Sequence, residues 1–495
     1  MSITHTWQTR RLLARTWQAL LALDIGEAES LLNGLEGSRV GMVADPNTLD
    51  CAIAVIRAAL LALRDDVAGA VVLARRAQQP FAEVACRSLA TMICRWGHWH
   101  TGELEEFHSG RRALWRLGTR PCTSITAIFD LNLEAAVEFG RLRLAVSGRL
   151  AAEALERARE GACTETAAGL LAAALVAQVA YEQGQLEEAE VAIRYRMRVI
   201  RNAAPVDCAV RAYLVLARLA VHRRRSDSAL ILLQDGVALG ERRGWPRLVA
   251  TMLAERVRIL LDDNEPGTAL SSLRKLEALL SSCSSTGAPA RADIELHHQL
   301  AQLRFLQHRA AAAETADAVA GLRLNALGRS DLRLALELHL ISVAAYARHG
   351  EIFEARERLI DALEVGATNG LCMTFVDAGP AVHELLADLC HDAAISDERV
   401  LELRPYIHTL LARCPRSLES ASGARRPREV IRQPLTRRES NVLRLIASGL
   451  SNKRIAQRLD IAPETVKSHA KSIFAKLAAQ TRAQAVAHAE VRGLI

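Results

Sequence analysis

Between Pro463 and Leu477, the residues Glu464, Ser468, Lys471 and Ala475 fall on one side of a helix turning 100° per residue, with Lys467 and Ser472 flanking them. Two ammonium groups, two hydroxyls and one small residue on a single face can donate hydrogen bonds at close approach. That is the chemistry of reading base edges in a DNA major groove. The opposite side carries Val466, Ala470, Ile473 and Leu477, spaced by four, three and four residues, and is the stripe that packs. A charged face on a lone helix is ordinarily a solvated one. Lysine usage argues for more here: the chain has 63 Lys and Arg, only five of them lysines, and Lys453, Lys467, Lys471 and Lys476 all lie in this tail.

The elements that must hold this face are legible just before it. Thr436-Arg-Arg-Glu439 has the spacing of a capping box and predicts a helix with Val442, Leu443 and Ile446 on its apolar side, ended by Gly449. Ser451 then caps a second, short helix carrying Ile455, Ala456 and Leu459, and Pro463 opens the third at its favoured first position. Residues 425–495 hold fifteen Lys and Arg against five Asp and Glu, so the net charge of +7 on the whole chain belongs to its tail. A basic domain on a near-neutral body is the electrostatic footprint of nucleic-acid binding.

The residues Leu435-Thr-x-Arg438-Glu439, Val442-Leu443, Gly449-Leu-Ser-Asn-Lys453, Ile455-Ala456, Thr465-Val-Lys-x-His469, Lys476-Leu477 and Arg482-x-Gln-Ala-Val486 resemble the LuxR-type helix-turn-helix domain. The resemblance implies that the third helix reads the major groove through Lys467, Ser468 and Lys471. It implies that Thr465 and His469 brace that helix or touch phosphate, and that Asn452 and Lys453 meet phosphate at the positive start of the second helix, where Arg454 adds a further positive charge. A final helix opened by Thr481 resembles the one through which two such domains pair, so double-stranded DNA bound by a homodimer is the implied complex. Asn441, Arg454, Ala462 and Ala478 depart from the usual pattern, and the two alanines remove a cap and a terminating Gly worth on the order of 1 kcal/mol each. None of the four removes a groove-facing residue.

From the start to about Leu411 a second pattern repeats. Gly102-Glu-Leu-Glu-Glu-Phe107, Gly184-Gln-Leu-Glu-Glu-Ala189 and Gly350-Glu-Ile-Phe-Glu-Ala355 share a turn Gly, an apolar residue two later and a small or apolar residue five later. Ala28, Ala70, Ala152, Ala229, Ala269 and Ala313 follow polar turns at comparable places, a period of about 40 residues that predicts nine or so stacked helical hairpins. Gly releases one helix in a left-handed cap, and a small residue lets its partner approach. These hairpins resemble tetratricopeptide-like (TPR-like) repeats. The expected fold is all-α: a superhelical TPR-like array over residues 1–411, a Pro/Ser/Arg-rich linker over 412–433, and a four-helix LuxR-type domain over 434–495 with its helix-turn-helix motif at about 451–477. Ser281 to Arg291 reads as a flexible insertion. The whole resembles the effector half of the large ATP-dependent LuxR regulators typified by MalT, without a GxxxxGK[ST] loop. It reads either as a stand-alone regulator or as a portion separated from an upstream NTPase domain.

Other function classes find little support. There is no HExxH, GxSxG or Rossmann glycine fingerprint, so no enzyme activity and no cofactor are expected. Ten cysteines without a CxxC pair read as reduced, buried thiols, and Cys94, His98 and His100 in CRWGHWH read as a packed Trp-rich helix end rather than a metal site. Arg10, Arg11 and Arg15 interrupt any signal-peptide core, and the longest apolar stretch, Ala167 to Tyr181, is too short to span a membrane and predicts a buried helix. The expectation is a cytoplasmic, sequence-specific DNA-binding regulator, more an activator than a repressor by resemblance. Its repeats would sense a ligand or protein partner at their concave face. The competing reading is a repeat adaptor or ligand-binding protein with weak DNA binding.

Overall fold

The computed structural model describes residues 2–37, 46–116, 124–283, 288–308, 312–391, 397–414, 437–447, 450–459, 462–477, 482 and 485. Every regular element among them is a helix, as a composition rich in Ala and Leu and poor in β-branched runs requires. The chain divides into two units, Met1–Pro415 and Arg416–Ile495.

Among the described residues of the first unit nine helix pairs follow one another, from Ser2–Leu21 with Ile25–Gly37 to Leu332–Arg348 with Ile352–Asn369, with the short helix Met197–Ala203 after the fifth. The turn inside eight of these pairs explains the repeat; residues 309–311 of the remaining turn lie outside the described ones. Leu23, Asp65, Gly102, Leu142, Gly184, Arg224, Asn264 and Gly350 all adopt positive φ, between 60° and 81°. The residue five positions later is Ala28, Ala70, Phe107, Ser147, Ala189, Ala229, Ala269 or Ala355, and each is fully buried. The left-handed turn therefore recurs where sequence shows no Gly, and L residues occupy it at a cost of roughly 1–2 kcal/mol each. Two expected positions shift. Ala152 is exposed, because Ser147 fills the place after the Leu142 turn; Ala313 is exposed and its neighbour Ala312 is buried. For Ala152 the reason is that an Ala-rich helix offers several candidate small residues and the turn's φ fixes which one faces inward; residues 309–311, just before Ala313, lie outside the described ones.

The Ala167–Glu182 helix is buried on nearly every side, with Thr166 accepting from the Gly169 amide at its start. Within the Ser281–Arg291 stretch a helix already begins at Ala288, so the expected insertion is shorter than its composition suggested; residues 284–287 lie outside the described ones. Residues 415–433 of the expected linker also lie outside them. After the ninth pair come Met373–Val376, Pro380–His391 and Glu398–Arg413. One contiguous apolar cluster extends from Ala19 to Cys414, which is how hairpins that could not stand alone become stable together. Nine of the ten cysteines are described, all as free thiols. Burial pushes the Cys86 and Cys208 thiols up to about 12, so they stay protonated.

The array also makes contacts that nearest-neighbour stacking does not supply. Arg247 donates from Nε to both oxygens of Asp65 at 2.8 and 2.9 Å, and from Nη1 to Asp207 at 3.3 Å and Asp293 at 3.2 Å. Asp207 also accepts from the Trp96 indole at 2.8 Å and faces His100 at 3.3 Å. Burial alone would raise the Asp207 carboxyl, but His100 and Arg247 outweigh it and hold it well below the usual range. The Trp245 indole, 2% exposed, donates to the Leu63 carbonyl beside this knot. Arg247→Met strands three carboxylates away from water, so a loss of about 3–5 kcal/mol of stability is expected. Denaturant unfolding of the full chain, followed by circular dichroism, measures it.

Candidate nucleic-acid interface

The described C-terminal helices are Arg437–Ala447, Asn452–Leu459 and Pro463–Leu477. Val442, Leu443 and Ile446 of the first, Ile455 and Ala456 of the second and Val466, Ala470 and Ile473 of the third form one apolar cluster, joined by Ala485. Packing this stripe inward turns the other side of the third helix outward. Lys467, Ser468 and Lys471 are all exposed there, together with Glu464 and Thr465. Lys467 Nζ lies 3.7 Å from Glu464 Oε2, with side chains 73% and 84% exposed. Such a solvated pair holds its lysine weakly. His469 is half-buried at the edge of the face, and Lys453 and Arg454 are exposed on the first turn of the second helix.

Three features were not legible as such. Ser472, expected on the outward flank, is half-buried, and its hydroxyl donates to Glu439 Oε1 at 2.6 Å. Lys476 donates to Glu439 Oε2 at 2.8 Å, with the two side chains only 14% and 6% exposed. Glu439 thus anchors the third helix to the first. Arg482 donates to Asn452 Oδ1 at 3.2 Å and to the carbonyls of Ile446 and Leu450, so Asn452 is half engaged in a clamp on the turn between the first two helices. The signal for the Glu439 anchor was available: Lys476 lies off the outward arc, and a lysine there needs a partner. Thr436, Gly449, Ala478 and the final helix expected from Thr481 lie outside the described residues, Arg482 and Ala485 excepted; the side chains of Ala475 and Leu477 do so as well.

The repeat unit holds a second region with chemical potential. Arg218, Glu255, Arg304, Arg333 and Glu337, from the first helices of successive hairpins, line a polar groove of about 290 Å³. Arg218 grips Glu255 with two parallel bonds of 2.9 and 3.1 Å. His98 and His100 of CRWGHWH face Glu103 and Asp207. Among the described residues no three His, Cys, Asp or Glu are grouped to hold a metal, and no helix is long and apolar enough to cross a membrane.

A body of helical hairpins and a three-helix basic unit with an exposed donor face define the class of helix-turn-helix regulatory proteins that carry a repeat region. Comparison with known families agrees. Residues 51–392 match the MalT-like TPR region and residues 433–489 match the luxR family of bacterial regulatory proteins. The chain belongs to the MalT-like TPR family and ends in a luxR-family DNA-binding domain. It is similar to the HTH-type transcriptional regulator MalT of Vibrio cholerae, 33% identical over 28% of this chain and 17% of that protein. It is likewise similar to MalT of Klebsiella pneumoniae, 32% identical over 34% and 20%. The matched stretch is thus about a fifth of the length of these relatives. A solved structure described as Rap protein complexed with competence and sporulation factor shares the fold, with a TM-score of 0.55 at 11% identity, covering 73% of this chain and 98% of that one.

Two outcomes follow from the site. Glu439→Gln removes the charge that Lys476 pairs with while both side chains stay largely desolvated, so the C-terminal unit should lose about 3–5 kcal/mol. Amide exchange of residues 437–477 in the full chain would show it as lost protection. In the groove, burial alone would raise the Glu337 carboxyl, but Arg333, Arg304 and Arg218 bring it down to about 2. A depressed carboxylate stabilises the fold above its unfolded value of 4.5, and that contribution disappears as pH falls through about 2. Between these limits Glu337→Gln should show a flatter loss of stability with acid than the parent, read from denaturant midpoints at stepped pH.

Proposed function

We propose that the chain is a sequence-specific DNA-binding transcriptional regulator. In this reading Lys467, Ser468 and Lys471 meet base edges, Asn452, Lys453, Arg454 and Thr465 meet the phosphate backbone, and His469 braces the helix. The observation that carries it is the exposed donor face of Pro463–Leu477, held from behind by the Glu439 anchor. A reading helix gains specificity only if its side chains arrive already oriented, and two bonds to one nearly buried carboxylate fix its rotation. Residues 434–495 form the reader, 412–433 the connection and 1–411 the sensing body, whose inner face receives a ligand or a protein partner. The unit acts as a dimer on a two-fold DNA site, in the cytoplasm, and resemblance to the MalT proteins favours activation.

Selection of bound duplexes from a random pool by the full chain tests the reading. A recurring pair of half-sites supports it, whereas retention of DNA without sequence preference would favour a repeat adaptor with residual electrostatic binding. On a selected site Lys471→Ala should lose about 1–3 kcal/mol of affinity and relax the preference at one or two positions. Lys453→Ala should weaken all duplexes alike and lower the slope of log affinity against log salt by about 1.

A further inference from the structure

The inner face of the repeat unit changes character along the array. In the later hairpins it is the charged groove around Glu255 and Glu337. In the first five, side chains of Trp17, Leu63, Met92, Phe129, Leu133 and Leu171 line an apolar pocket of about 130 Å³ that is partly open to solvent, with Leu21, 40% exposed, among its walls. A pocket with almost no polar lining, walled by five successive first helices, leaves apolar surface in contact with water, and a ligand that covers it gains by doing so.

Its chemistry is narrow. Thr166 and Asp207 contribute the hydroxyl and the carboxylate of the lining, and both are engaged elsewhere. The Thr166 hydroxyl donates to the Cys163 carbonyl at 2.6 Å and accepts from the Gly169 amide at 3.3 Å. Asp207 is held by Arg247, His100 and the Trp96 indole, which also lines the chamber and donates to Asp207. A water molecule needs two to four polar partners, and these walls leave it few. An engineered apolar cavity of about 150 Å³ lined by Leu, Ile and Phe stays dry and takes up benzene or xenon. The pocket here has the same order of size and the same kind of wall but opens to solvent on one side, so a guest can enter and displace poorly held water.

We propose that this chamber is a binding site for a compact apolar molecule of about six to eight carbon atoms, a single aromatic ring or a short alkyl chain. The inference rests on the reading that the repeat unit is the sensing half of the protein, and it gives that half a ligand class. The site is built to signal as well as to bind. A guest against the Trp96 ring bears on the side chain that donates to Asp207, and Asp207 shares Arg247 with Asp65, which lies 182 residues from it. Occupancy therefore acts on the knot that ties distant hairpins together, whereas a guest in the charged groove would compete with ion pairs already formed.

Calorimetric titration of the full chain with toluene and, separately, with 1-hexanol tests the proposal. Saturable one-to-one binding of either probe, with a raised thermal midpoint, is expected; toluene alone would indicate a ring, hexanol alone a chain. Leu133→Trp and Ala62→Leu each place carbon in the chamber and should lower probe affinity at least tenfold. Ala62→Leu is the smaller change and decides the matter if Leu133→Trp does not fold. Absence of saturable binding by both probes, or equal binding to the filled variant, would overturn the site. DNA is left out of the titration, so a failure here is distinguishable from a failure of duplex recognition.

Discussion

Arg247 and Asp65 lie 182 residues apart and meet almost wholly out of water. In a stack whose repeats touch only their neighbours, two such residues would never come together. Here the first helices of the hairpins converge on a common inner face, and every charge carried into that space must find a partner or be expelled. The result is a series of buried arginine–carboxylate knots. Arg247 serves Asp65, Asp207 and Asp293; Arg218 and Arg258 share Glu255; Tyr181 donates to Asp377 from 196 residues away. Glu182 continues the pattern by accepting from the Cys372 and Thr374 amides. Replacing any one partner strands a desolvated charge, so these knots specify how the array coils more than they add stability.

The same solution operates on a smaller scale at the other end of the chain. Three short helices cannot bury much carbon, and their apolar cluster holds nine fully or nearly buried residues. Glu439 supplies what the cluster lacks, a directional constraint: two oxygens, one accepting from Ser472 and the other from Lys476, on adjacent turns of the third helix. Lysines of one helix are thereby divided. Lys476 is spent on orientation, and Lys467 and Lys471 remain in solvent on the side turned away.

Much of this was legible in advance, because it depends on periodicity. The heights of Val466, Ala470 and Ile473 on one stripe, the turn glycines at 102, 184 and 350, and the period near 40 residues are local properties of the chain. What periodicity could not show is which residue occupies a left-handed turn when no Gly is present. Leu23, Leu142 and Arg224 take that conformation between packed helices although each carries a Cβ that disfavours it. Nor could it place Ser472. On a helical wheel it flanks the exposed arc, and only the approach of Glu439 from a different helix draws it inward.

The all-helical class, the repeat and the basic outward face were legible from the sequence, since each follows from side-chain type at a fixed rotation per residue. Tertiary structure alone decided the pairings across the inner face and the separation of a charged groove from an apolar chamber within it. It also decided which lysine belongs to the scaffold and which to the solvent. Those depend on how closely distant helices approach, and burial assigns each charge a partner that spacing along the chain does not reveal.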